Sequence, residues 1–143
     1  MTMETKKILV IDDEPDARTL LNRRLSASQY EVVESADGPS GIAVAKEGGI
    51  DLIILDLIMP GEDGIKIYHA LRHNPQTQNI PVIFLTALSV DASLTERGLE
   101  LMALTKHGLE MDKYFVVMGK PYDPKKLSRE IRRLLGQRDP WIA

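Results

Sequence analysis

The chain has 143 residues, 43% of them hydrophobic, which suits one domain with a real core and leaves too little chain for two. Its 18 basic and 21 acidic residues are evenly spread and sum to a net charge of -3, so the sequence carries no electrostatic footprint for nucleic acid or an anionic membrane. With no cysteine, disulfides, thiolate metal sites and a thiol nucleophile are excluded; no apolar run approaches a membrane span and "MTMETKKILV" has no signal-peptide core, so a cytoplasmic location is expected.

The first predicted strand, "KILVID" (7–12), runs into four acids, Asp12, Asp13, Glu14 and Asp16. Carboxylates packed side by side repel by ~4 kcal/mol per unit-charge pair 4 Å apart at an effective dielectric near 20, so something must offset them. "PDARTLLNRRL" follows as an amphipathic helix, with Ala17, Leu20, Leu21 and Leu25 on one face and Arg18, Asn22 and Arg23 on the other. Pro15 suits its first turn. The second strand is "YEVVES" (30–35), and Gly48-Gly49 stops the helix after it.

The third strand, "DLIILD" (51–56), is apolar until it ends in Asp56. Met59-Pro60 shapes the loop beyond it, and Gly61 and Gly64 flank "ED" as turn residues. The third helix carries His69 and His73 and stops at Asn74-Pro75. That histidine spacing suits a two-imidazole metal site, but without a third ligand a solvated helix face is the preferred reading. The fourth strand, "PVIFLTA" (81–87), ends in Thr86-Ala87. The fifth, "YFVVMG" (114–119), is followed by Lys120-Pro121. "DPKKLSREIRRLL" is the last helix, with Asp123 as N-cap, Pro124 at its first position, and Leu127, Ile131, Leu134 and Leu135 on the buried side.

Five strands alternating with five helices predict a doubly wound α/β fold. The expected domain covers 7–136, with tails at 1–6 and 137–143 and no room for an output domain. Ligands of such folds bind beyond the carboxyl ends of the strands, which is where Asp12, Asp13, Asp56, Thr86 and Lys120 fall. Singly, each has an ordinary explanation: Asp13 or Glu14 as a cap of the first helix, Thr86 as a cap of the fourth, Asp56 as a polar strand end, Lys120 as a solvated loop lysine. Jointly, at one sheet edge, these explanations fail.

"ILVIDDEPD", "ADG" (36–38), "DLIILDLIMPGEDG" (51–64), "PVIFLTA" and "KPYD" (120–123), in this order, resemble the receiver domain of bacterial two-component response regulators. The resemblance implies a flavodoxin-like five-stranded parallel sheet of order 2-1-3-4-5. It implies that Asp56 accepts a phosphoryl group from a sensor histidine kinase, a histidine phosphotransfer protein or a small phosphodonor. Asp13, Asp56 and the backbone carbonyl of Ile58 would ligate Mg2+ (or Mn2+), with Asp12 acting directly or through water. Thr86 would be the switch hydroxyl, Ala87 would leave room for the phosphoryl group, and Lys120 would neutralise it, its bond to Pro121 being cis as in relatives. Output would be a population shift of the face built from the fourth helix, fifth strand and fifth helix, read by a downstream protein. Homodimerisation on phosphorylation is compatible with this reading, which is of a signalling phosphoacceptor, not a turnover enzyme.

Some positions depart from the family pattern. Val117 stands where relatives carry an aromatic, with Tyr114 and Phe115 further back, and the stretch from Thr86 to Lys120 is longer than usual by roughly three helical turns. "SLTERGLELMALTKHG" is either an extended fourth helix or an insertion. Ile58 and Leu88 are apolar where polar residues would orient an attacking water, so a long-lived acyl phosphate is expected. Trp141 lies in the tail with no assigned role.

Three rivals stand beside this reading. An aspartyl-phosphate hydrolase needs a second acid where Ile58 stands. A flavodoxin-like cofactor binder needs hydroxyls and amides where "DDEPD" would repel a phosphate. A phosphorylation-independent pseudo-receiver scaffold is opposed by the intact set of Asp13, Asp56, Thr86 and Lys120.

Overall fold

A computed structural model describes residues 5–59, 61–86 and 115–137. In chain order the elements are β1 (Lys7–Ile11), α1 (Pro15–Ala27), β2 (Glu31–Ser35), α2 (Gly38–Glu47), β3 (Leu52–Asp56), β4 (Ile58–Met59), β5 (Glu62–Asp63), α3 (Gly64–Arg72), β6 (Val82–Thr86), β7 (Phe115–Gly119) and α4 (Pro124–Leu134). The main sheet is parallel and five-stranded, ordered β2-β1-β3-β6-β7. With the small β4–β5 hairpin set aside, this is the expected order 2-1-3-4-5.

Strand alternation divides the core in two. Leu9, Ile11, Ile53, Leu55, Val82 and Phe84 join α2 and α3 on one face. Ile8, Val10, Leu52, Ile54, Ile83 and Leu85 join Leu21 and Leu25 of α1 and Leu127 and Ile131 of α4 on the other. Both faces of β3 are therefore covered, and all five of its residues are buried.

Two features differ from the sequence expectation. Five helices were predicted, whereas the described residues hold four. The predicted fourth falls on residues 87–114, outside the described residues. The second difference is the hairpin. The Glu62-Asp63 pair that the pattern assigns to a turn forms β5, paired antiparallel with β4 through Ile58↔Asp63 and Met59↔Glu62.

Gly61, with φ of +75°, supplies the left-handed conformation of the turn in this hairpin. Gly64 acts differently: it opens α3 against the preceding backbone, where an added Cβ would lie 2.6 Å from the Leu57 carbonyl oxygen. Asp63 caps α3, its Oδ1 accepting from the Ile65 and Lys66 amides at 3.0 and 3.4 Å.

Candidate functional site

β1 and β3 are central neighbours, and the chain leaves β1 for one side of the sheet and β3 for the other. A crevice therefore opens beyond their carboxyl ends. Asp12 follows the last residue of β1, and Asp56 is the last residue of β3. Asp12 is 2% exposed and Asp56 8%, while Asp13 is exposed. One ligand oxygen from each of the three lies within 4.8 Å of the others, the one such group of metal-ligating side chains among the described residues.

Lys120, just past β7, closes the site. Its Nζ donates to Asp12 Oδ2 at 3.1 Å and to Asp56 Oδ2 at 3.3 Å, and the peptide bond to Pro121 is cis. Burial pulls the lysine toward its neutral form, but the hydrogen bond to Asp12 and the charges of Asp56 and Asp12 outweigh it. The net effect holds its pKa above the ordinary lysine value. Lys120 is therefore a fixed cation at neutral pH.

The N-cap of α1 and the end of β2 supply further contacts of Asp12. Its Oδ1 accepts from the Glu14 amide at 3.0 Å, and its backbone N–H donates to the Ser35 carbonyl at 3.1 Å. Both oxygens of Asp12 are thus engaged, whereas the carboxylate of Asp13 has no hydrogen-bond partner among the described residues. Glu14 stands at the N-cap of α1 and makes no side-chain cap bond, so its place in the acid run is not explained by capping.

Thr86 ends β6 beside Gly119 of β7, placing its backbone at the same sheet edge. Ile58 lies in β4, two residues past Asp56. Ala87, Leu88, Pro60, Tyr114 and Trp141 lie outside the described residues. His69 and His73 are exposed, with ring centroids 6.1 Å apart. The ring Nδ1 of His73 lies 2.7 Å from the His69 carbonyl, and no third ligand joins the pair among the described residues.

The donor set is all oxygen, as hard divalent cations prefer, and three carboxylates against one ammonium leave a formal surplus of two negative charges. These residues fit a magnesium-type site. Residues 8–132 match the family described as the response regulator receiver domain. The chain belongs to that family.

Two relatives show how this receiver domain sits among longer proteins. It is 41% identical over 137 residues to a protein named probable transcriptional regulator ycf27 from Porphyridium aerugineum, covering 96% of this chain and 51% of that one. It is 37% identical over 134 residues to the transcriptional regulatory protein ResD of Bacillus subtilis, covering 94% and 49%. The chain thus spans about half the length of these curated relatives. Among solved structures, the chemotaxis protein CheY4 of Vibrio cholerae superposes with a TM-score of 0.73 at 27% identity, covering 92% of this chain and 99% of that one. Receiver domains of this family are phosphoacceptor modules of two-component signalling. No helix among the described residues is long and apolar enough to cross a membrane.

Proposed function

We propose that this receiver accepts a phosphoryl group on Asp56 from a phosphohistidine of a sensor kinase or phosphotransfer protein and passes the signal on by protein binding. The observation that carries this is Lys120 Nζ placed within hydrogen-bonding distance of both Asp12 and Asp56 at the mouth of an acidic crevice.

In the transfer, an Asp56 carboxylate oxygen forms a bond to phosphorus as the phosphorus–nitrogen bond breaks. The imidazole leaves with the electron pair and takes up a proton. Lys120 balances the charge on the phosphoryl oxygens as a point charge that needs reach more than angle. Asp13, Asp56 and the Ile58 carbonyl would hold Mg2+, or Mn2+, with Asp12 joining directly or through a water. When bound, such an ion would supply neutralisation of the charge on the phosphoryl oxygens. The Thr86 hydroxyl then hydrogen-bonds the phosphoryl group, and the small Ala87 leaves it space. The partner-facing surface formed with β7 and the last helix shifts population in response. A cytoplasmic setting and, in the whole protein, an output such as the transcriptional regulation named for its relatives accord with this reading.

The test is incubation with a small acyl phosphate and magnesium, followed by intact mass. Wild type should gain one phosphoryl group, and Asp56→Asn none. Equal labelling of the two proteins would overturn the assignment.

A further inference from the structure

The acid pocket is held from behind by a residue that touches none of its carboxylates. Arg18, in the first turns of α1, donates from Nη1 to the backbone carbonyl of Asp12 at 2.6 Å. Its Nε lies 3.3 Å from Glu34 Oε1 on β2, and Glu34 Oε2 accepts from Asn22 Nδ2 at 2.9 Å. Asn22 Oδ1 in turn accepts from the Ser26 hydroxyl at 2.8 Å. The Arg18 side chain is 17% exposed and that of Glu34 35%, so the pair is partly shielded from solvent.

The Asp12 carbonyl begins the peptide that carries Asp13. Fixing that oxygen, while the Ser35 carbonyl fixes the Asp12 N–H, leaves the Asp12–Asp13 backbone little freedom to swing its side chains away from Asp56. A planar guanidinium can serve two acceptors in fixed directions, which an ammonium cannot reproduce. Resting on the function proposed above, we infer that Arg18, aligned by Glu34, is a positioning residue that pre-organises Asp12 and Asp13 for the divalent ion.

Two effects of Arg18 oppose each other. Its charge lowers the cation affinity of the crevice, and its tether raises that affinity by holding the acids in place. Glu34 neutralises the charge, so the tether dominates. Removing supporting partners behind metal ligands typically weakens binding by 10–100-fold.

The experiment is titration with magnesium alone, followed by backbone amide shifts, on wild type, R18K and the double variant R18A/E34A. Neither variant changes the net charge, so a difference reports position and not field. The double variant should bind magnesium about tenfold more weakly, and R18K several-fold more weakly, at temperatures well below unfolding. Saturating magnesium should restore phosphorylation by the acyl phosphate in both. R18K keeps a cation at the site and serves as the decisive variant if the double one does not fold. Wild-type magnesium affinity in a folded variant would overturn the positioning role alone. A wild-type chain that takes up no magnesium would overturn both this role and the function it rests on.

Discussion

At the scale of single residues, charge arrangement decides behaviour. Lys120 is the counter-ion of two acids, of which Asp12 is the more deeply buried. Its folded pKa is raised, so the stability it confers is fully present below the ordinary lysine value, about 10.4, and is lost as pH climbs through the raised value. Replacing it should therefore flatten the alkaline limb of the stability curve. The stability difference between wild type and Lys120→Met, read by denaturant titration, should hold steady up to the ordinary lysine value and shrink only as pH climbs beyond it. On the function proposed above, Ile58 follows Asp56 at the spacing where a polar residue would orient water, and an apolar residue there is expected to give a long-lived acyl phosphate. Ile58→Asn should shorten the phosphorylated state's lifetime by about tenfold, below the 10²–10⁴ of a full general base, as read by the decay of radiolabel. These carboxylates and the lysine were legible in the sequence because strand ends in a doubly wound fold share one edge. Arg18 was legible only as part of a polar helix face, since its acceptors are a backbone carbonyl and a residue 16 positions on.

At the scale of elements, local backbone chemistry sets where each site residue stands. Gly64 lets α3 start in contact with the Leu57 backbone, the neighbour of both Asp56 and Ile58. Gly64→Ala has no flexible side chain to push aside and should cost about 2–3 kcal/mol, read by urea unfolding. The two helices flanking the site differ at their N-caps. Asp123 Oδ1 accepts from the Lys125 amide at 2.9 Å, so Asp123→Ala should cost about 1 kcal/mol, whereas Glu14→Ala, with no cap bond to lose, should cost less than about 0.5 kcal/mol. The aspartate-proline start of α4 was readable from its residues. The β4–β5 hairpin was not, because two-residue strands are shorter than any alternation that a sequence pattern can register.

At the scale of the whole molecule, the sheet carries two cores, and Phe84 lies in the one beneath α2 and α3 with its ring centroid 5.3 Å from that of Tyr68. Phe84→Ala should cost about 3–5 kcal/mol by opening a cavity that rigid strands cannot close. Occupation of the acid site should act in the opposite direction. Magnesium at 100 times its dissociation constant should stabilise the wild-type fold by about 2.7 kcal/mol, an increment that thermal unfolding of Asp13→Ala should largely lack.

The alternation of apolar strands with amphipathic helices determined the layers and the edge at which the acids gather, because period-two and period-3.6 patterns leave few ways to bury their apolar faces, while the strand order followed from the family resemblance. Only the tertiary structure decided which oxygen of Asp12 meets Lys120, that Arg18 fastens the backbone behind it, and that Gly64 rests on Leu57. Those contacts join atoms a few ångströms apart, whether the residues lie six positions apart in the chain, as Asp12 and Arg18 do, or 108, as Asp12 and Lys120 do; burial patterns specify which face a residue occupies but not which atom it touches.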